Sequence, residues 1–158
     1  MMRALLSQSV LALLLAAPSA AQVVVLRIDP AAESMSQQLE AALEPWGVLP
    51  DPGYLAEAQR LGLDPASDFA LMRLTPPAGA RLALIPRGDD ARRVYVEFRD
   101  GPSGGPLGAA NIPLDDGELD ERGQRALAAE VRRRIGPPPT AAGEEPVSDE
   151  GEAPAAEP

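Results

Sequence analysis

The twenty residues from Arg81 to Asp100, RLALIPRGDDARRVYVEFRD, decide the fold. Leu82 to Ile85 is one apolar run, and Gly88 to Asp90 interrupts the chain with residues typical of a turn. From Arg93 to Arg99 apolar and charged residues mostly alternate, which places them on opposite faces of a strand. Two runs of β-type residues around a Gly/Asp turn predict an antiparallel hairpin with one buried face. The buried face consists of Val94, Val96 and Phe98, and the other face carries Arg93, Glu97 and Arg99.

The first 21 residues predict a secretory signal peptide. Met1 to Arg3 is a short basic start, Ala4 to Ala17 is largely apolar, and Pro18 to Ala21 supplies the small residues of a cleavage site. We expect the cut between Ala21 and Gln22. The alternative is an uncleaved membrane anchor, but the apolar run is shorter than the roughly 20 residues of a spanning helix. Cleavage would leave a periplasmic or secreted protein without membrane insertion.

The composition excludes several classes of chemistry. The chain contains no Cys and no His, and its 14 basic residues are all Arg. Without Cys and His it lacks the usual zinc ligands and the Ser-His and Cys-His nucleophile pairs, and without Cys it forms no disulfide. A net charge of -10 argues against nucleic acid and anionic membranes as partners. We predict no cofactor.

The residues before the hairpin predict alternating strands and helices. A β-branched run from Gln22 to Ile28 indicates a strand covered on both faces. Ser34 with Gln37 fits a capping box, and apolar residues at helical spacing continue from there to Trp46. The remaining elements are a short edge strand at Val48-Leu49, a helix from Tyr54 to Leu63, a strand from Phe69 to Leu74 and a turn from Thr75 to Gly79.

The residues after the hairpin predict a weak strand, a helix and a tail. Leu107 to Leu114 forms the strand, and Pro113 places it at an edge or ends it early. Gln124 to Ile135 forms an amphipathic helix. Residues 137–158 are rich in Pro, Ala and Glu, and predict a disordered acidic tail that would act as a solubilising or spacing arm.

These elements give residues 22–136 one small α/β (α+β) domain. We expect a mixed sheet of about four to five strands, including the hairpin, packed against about three helices.

Four polar or aromatic features invite a functional interpretation, and each has a structural alternative. Asp115 to Glu121 is rich in oxygen ligands but lacks the spacing of a calcium loop, which favours a solvated helix start. Arg132 to Arg134 would bind an anion only if the three side chains pointed to the same place. Adjacent residues of a helix point in different directions, which favours three separately solvated side chains. Gly101 to Gly108 joins strand to strand, which favours a hairpin loop over a phosphate loop. Trp46 either closes the core or stacks on a ligand.

Paired carboxylates of the glycosidase type are the remaining catalytic candidates. Asp89, Asp90 and Asp100 lie at predicted turns, where Asp is common for conformational reasons. We therefore predict no catalytic, cofactor-binding or metal-binding residue.

The order of elements resembles the small amino-terminal domain of the periplasmic TolB family and the related envelope domains of the CsgG and FlgO type. Five segments carry this resemblance. They are Val23 to Ile28, Gln37 to Leu43, Leu61 to Asp64 leading into Phe69 to Leu74, Val94 to Gly101, and Ala126 to Ile135. The resemblance implies an envelope setting in which such domains contact other proteins.

The function expected from these features is the binding of another envelope protein, without catalysis. A partner strand would add to an exposed edge, either Ala109 to Leu114 or Val48-Leu49. The alternative is a small-ligand binder or a minor hydrolase that uses Asp or Glu with Tyr54 or Tyr95. A closed, carboxylate-lined pocket beside Tyr95 would favour this alternative.

Overall fold

The computed structural model describes residues 22–74 and 79–139. The predicted signal peptide, residues 75–78 of a predicted turn and residues 140–158 of the predicted tail lie outside these ranges. The described residues form a five-stranded mixed sheet with strand order β2-β1-β3-β4-β5, which confirms the predicted fold class. The strands are β1 (Val23–Val25), β2 (Val48–Leu49), β3 (Leu82–Asp90), β4 (Arg93–Asp100) and β5 (Pro106–Pro113).

Strand β1 lies inside the sheet and is buried on both faces, as the Val run predicts. It pairs in parallel with β2 and with β3, although it is shorter than the predicted strand. Val23 and Val25 enter one apolar cluster, and Val24 enters a second cluster on the opposite face. The sheet therefore has a helical layer on each side of β1.

Four α-helices within the described ranges form these two layers. Leu39 of one helix and Leu127 of another are fully buried on the face that carries Phe98. Tyr54 and Ala58 are buried on the other face, over β1 and β3. The first layer consists of α1 (Glu33–Leu43) and α4 (Glu121–Ile135), and the second of α2 (Tyr54–Arg60) and α3 (Asp68–Leu74).

The predicted strand from Phe69 to Leu74 is wrong, because these residues belong to helix α3. The Ser67 hydroxyl accepts the Ala70 N–H at 3.2 Å in the first turn. Ala70 and Leu71 are buried next to each other, whereas Phe69 and Met72 are each 59% exposed. Phe69 and Met72 are three residues apart and therefore lie on one exposed side of the helix, with Ala70 and Leu71 directed towards the core.

The predicted hairpin is confirmed, but its turn lies at Ala91 and Arg92 instead of Gly88 to Asp90. Strand β3 continues through Gly88, where the register with β4 shifts. Gly88 has φ of 59° there, a conformation that glycine adopts without steric cost. A bulge and a turn both favour Gly. The bulge at Gly88 was therefore predicted as the turn of the hairpin.

The starts and ends of two helices also differ from the predictions. The expected capping box at Ser34 is absent, because a 3-10 turn from Pro30 to Ala32 precedes α1 and is capped by the Asp29 side chain. Helix α1 ends at Leu43, before a second 3-10 turn, Glu44–Trp46. Helix α4 begins three residues before the predicted start, and Asp120 caps it by accepting the Gly123 N–H at 2.8 Å.

Candidate functional site

The outer edge of β5 is the longer of the two edges of the sheet. β5 is the last strand in the strand order, and no strand of the described residues pairs with its outer side. The other edge is β2, which has only two residues, both half-buried. Strand β5 has eight residues, and most of its side chains are exposed. It contains no charged residue, although charges are a common protection of natural edges.

The register shows which backbone groups point outward from this edge. The Leu114 N–H donates to the Arg92 carbonyl at 2.8 Å, and β5 keeps the same register against β4 from Pro113 to Ala109. In an antiparallel pair, alternate residues bond to the neighbouring strand and the residues between them face away. Ala109 and Asn111 therefore direct their N–H and C=O groups outward. Pro113 lies in the same outward series, where its missing N–H leaves the sheet intact.

The face of β4 and β5 that lies beside this edge is not covered by the α2 and α3 layer. Tyr95 is 44% exposed, and its partner Asn111 in β5 is exposed as well. Closer to α3, the Arg99 guanidinium donates to Asp68 at 2.7 Å and lies 3.4 Å from Glu97. These ion pairs form the border between the covered part of the face and the open part.

A cavity lies elsewhere, at the carboxyl ends of the parallel strands β1 and β2. Its volume is about 550 Å³, and Arg27, Glu40 and Asp51 contribute its charged groups. The connections from β1 and β2 lead to helices on opposite faces, so this is the position at which open α/β sheets commonly bind ligands. The sequence does not reveal this cavity, because its three charged residues, Arg27, Glu40 and Asp51, are far apart in the chain.

The charged groups of this cavity are engaged with each other. Arg27 donates to Glu33 at 2.6 Å and to Glu40 at 3.0 Å, and the hydrogen bond from Glu40 raises the pKa of Arg27. Asp51 accepts the backbone N–H groups of Arg27, Gly53 and Tyr54. These contacts hold the strand ends and the start of α2 in place, so we assign them a structural role.

The surroundings of Tyr95 are an open depression of about 400 Å³. Among the lining side chains that the structure describes, Asp90 is the one carboxylate, and Arg87 and Arg93 lie beside it. Glycoside hydrolysis needs two carboxylates that flank the scissile bond. Of the other catalytic candidates, Asp100 accepts the Ser103 N–H at 3.0 Å in the β4–β5 turn, a conformational role.

Tyr54 is the first residue of α2, and its side chain is only 1% exposed. Its hydroxyl donates to the Pro65 carbonyl at 3.0 Å, and burial raises its pKa to about 12. A hydroxyl in this environment stays protonated near neutral pH. The position of Tyr54 thus favours a packing role over the catalytic role considered from the sequence.

The raised pKa of Tyr54 predicts a loss of stability in alkali. An unfolded Tyr has a pKa of about 10, so the fold favours the neutral phenol. The stabilisation is complete below pH 10 and is lost as the pH rises from 10 towards 12, by about 3 kcal/mol in total. The chain has no Lys and no Cys, the other side chains whose usual pKa lies in or near this window. Urea unfolding at intervals of pH would measure the loss.

Two Phe substitutions test this assignment. Tyr54→Phe should largely remove the fall in unfolding free energy between pH 10 and pH 12, because it removes the titrating hydroxyl. Tyr95→Phe, at an exposed position, should retain the fall. An equally steep fall in the Tyr54→Phe protein would show that another group is responsible.

The structure assigns packing or conformational roles to most of the remaining predicted features. Trp46 is 3% exposed in the core, and its indole N–H donates to the Gly136 carbonyl at 3.0 Å. Gly101 to Gly105 forms the turn between β4 and β5, and the residues up to Gly108 belong to β5. In the acidic stretch, Asp120 caps α4 as described above, and Asp115 and Glu118 form a tight turn.

The three Arg residues at the end of α4 lie in different environments. Arg132 and Arg133 are exposed, but the side chain of Arg134 is only 8% exposed. Its guanidinium lies over the Phe98 ring, 3.7 Å from the centroid, and its hydrogen bond to Glu130 lowers the pKa of that carboxyl. Arg134 is therefore part of the core packing.

Two properties of residues 22–74 and 79–139 bear on metal binding and on membrane spanning. Within these ranges, no three His, Cys, Asp or Glu side chains come together in a way that would hold a metal ion. No helix in the same ranges has both the length and the hydropathy needed to cross a membrane.

Comparison with known proteins found no matching family model, no matching curated protein and no matching solved structure.

Proposed function

We propose that this chain is an exported, non-enzymatic protein-binding module of a bacterial cell envelope. It binds another envelope protein by accepting one extended segment of that protein along the outer edge of β5. The observation that carries the proposal is the outward direction of the backbone groups of Ala109 and Asn111. Such groups form the main-chain hydrogen bonds through which strand addition gains affinity.

The composition of β5 supports this use of the edge. Pro106 and Pro113 limit the strand at its two ends, and Gly108 has φ of 93° beside the register shift with β4. These features restrict pairing to the residues between Gly108 and Pro113, which suits a short partner segment. Tyr95 and Asn111 lie next to this stretch on the open face, where they would contact alternate side chains of the added strand.

The setting in the envelope is supported by the sequence. The predicted signal peptide of residues 1–21 directs the chain out of the cytoplasm. The resemblance to TolB-type domains favours the same compartment and a protein partner. The proposal has no catalytic step, which agrees with the hydrogen bond of Tyr54 to Pro65 and with the openness of the depression beside Tyr95.

Crosslinking in the native envelope tests the proposal. A photo-crosslinking residue replaces Leu107, which is 42% exposed at the start of the edge. Ala109→Pro removes one outward N–H without removing a bond to β4, so the fold should persist. We expect the crosslinked partner to decrease at least about tenfold in this variant, since a ladder bond is lost and the Pro ring obstructs the approaching strand.

Ala109→Ser is the matched control, because it changes the same side chain and keeps the outward N–H. It should crosslink as the parent does. Urea unfolding of both variants confirms that each is folded. Equal crosslinking in the Pro and Ser variants would contradict strand addition at β5, as would the absence of any specific product in the parent.

A further inference from the structure

A second surface, independent of the β5 edge, is a groove between α1 and α4. Its volume is about 430 Å³. Its wall on α4 is formed by residues that recur at helical spacing, so they lie along one stripe of the helix. These residues are Glu121, Gln124, Arg125, Ala128 and Arg132, and the opposite side consists of Ala42, Pro45, Trp46 and Pro138.

The groove combines an apolar floor with two cations that lack a strong partner. Ala42 and Pro45 supply apolar surface, and Trp46 packs beneath them with only 3% of its area exposed. The side chain of Arg132 has no ion pair or hydrogen bond with any part of the chain that the structure describes, and it is exposed. Arg125 is 3.8 Å from Glu121, and the two side chains are 75% and 90% exposed, so solvent screens this pair strongly.

The last described residues of the chain lie beside this groove. Pro138 lines the groove, and the described part of the chain ends one residue later, at Pro139. The 19 residues from Thr140 to Pro158 contain no basic residue. Their six acidic residues are Glu144, Glu145, Asp149, Glu150, Glu152 and Glu157.

We propose that this acidic segment binds in the α1–α4 groove of its own chain. The carboxylates of Glu144 and Glu145 pair with Arg125 and Arg132, and Pro146 and Val147 lie on the apolar floor. Pro45 is the exposed apolar residue of this floor, and Ala42 beside it is half-buried. Val147 is the only branched apolar residue of the segment.

The length of the segment permits this contact. The stripe from Glu121 to Arg132 is about 16 Å long at the rise of an α-helix. Six residues from Thr140 to Glu145 span at most about 20 Å when extended, so Glu145 can reach either Arg. Gly143 lies within this span, where a reversal of direction has little steric cost.

Because the acidic segment and the groove belong to the same chain, even a weak contact is sufficient to keep the groove occupied. A short flexible connection holds a ligand at an effective concentration on the order of millimolar. The segment therefore occupies the groove even if the same sequence, supplied as a free peptide, has a dissociation constant in that range. Charge pairing at an exposed site is screened by salt, and the Debye length falls from about 10 Å at 0.1 M to about 3 Å at 1 M. Binding of the acidic segment to the groove should therefore be weaker at 1 M salt than at 0.1 M salt.

The absence of Cys provides a specific test. Ser148→Cys, in a chain that begins at Gln22, gives a single site for a nitroxide spin label beside the docked residues. We expect the label to broaden the amide resonances of Ala42, Trp46 and Ala128 at 0.1 M salt. The broadening should decrease at least about threefold at 1 M salt. It should decrease similarly in Arg125→Glu/Arg132→Glu, which reverses the charge of the groove.

Arg92→Glu/Arg122→Glu is the matched control. It makes the same change in net charge at two exposed residues that do not line the groove, and it should leave the broadening unchanged. Equal broadening in the two charge-reversed proteins would overturn the proposal, and so would no broadening in the parent. Broadening of unlabelled protein by a labelled copy, disappearing on dilution, would place the segment in the groove of a second copy and would also contradict it.

Discussion

Phe98→Ala is expected to cost about 3–5 kcal/mol of unfolding free energy, the range for a buried Phe whose removal leaves a cavity. Phe98 is fully buried, and it pairs with Leu84 of β3 in the register of the hairpin. The Arg134 guanidinium lies 3.7 Å from the centroid of its ring. The substitution therefore removes apolar burial and also leaves a largely buried cation without its aromatic partner.

The other Phe of the chain provides the control. Phe69 is 59% exposed on α3, so Phe69→Ala should change the unfolding free energy by no more than about 0.5 kcal/mol. Urea unfolding measures both variants, and a lower midpoint with an unchanged slope would show a true loss of stability. A loss below about 1.5 kcal/mol for Phe98→Ala would mean that the ring contributes less to the core than its burial indicates.

The position of Phe98 could be predicted because one face of β4 is apolar and fully buried, while the other face carries Arg93, Glu97 and Arg99. Burial on alternate residues leaves a pattern in the sequence, and Val94, Val96 and Phe98 follow it. The edge position of β5 could also be predicted, because Pro113 is incompatible with a central strand. Both inferences depend on local rules that the tertiary structure does not override.

Helix α3 could not be predicted in the same way. The run Phe69 to Leu74 is six residues long, and five of the six are apolar. Such a short run has no periodicity that separates a strand from a helix. Ser67 and Asp68 directly before it were the available signal, since Ser at a helix start and Asp in the first turn are both favourable.

The surfaces that involve several elements were the least predictable. Arg27 and Asp51 meet because β1 and β2 are adjacent and parallel, and the packing of α1 adds Glu40, so no spacing in the sequence encodes this cluster. The α1–α4 groove likewise depends on the packing of two helices that are distant in sequence. By contrast, the outward groups of β5 could be anticipated as an edge, but identifying Ala109 and Asn111 required the register.

Gly101→Ala is expected to cost about 3 kcal/mol, the upper part of the usual range for overpacking. A Cβ atom at Gly101 would lie only 1.7 Å from the Ala80 carbonyl oxygen. This neighbour is backbone, so a change of rotamer does not relieve the clash. The Gly101 N–H donates to the Arg81 carbonyl at 3.0 Å, and the Arg81 N–H donates to Gln22 at 2.8 Å. Relief of this clash would therefore require the ends of three strands, β1, β3 and β4, to move apart.

Gly105→Ala is the control in the same turn, because its Cβ would meet only the Ser103 hydroxyl at 3.2 Å. A hydroxyl on a rotatable side chain can move by the few tenths of an ångström required, so the change should stay within about 0.5 kcal/mol. The comparison separates close backbone contact from a general preference for glycine in turns. Equal losses in the two variants would show that turn conformation, and not the contact with Ala80, makes Gly101 necessary. Urea unfolding at neutral pH distinguishes the two explanations.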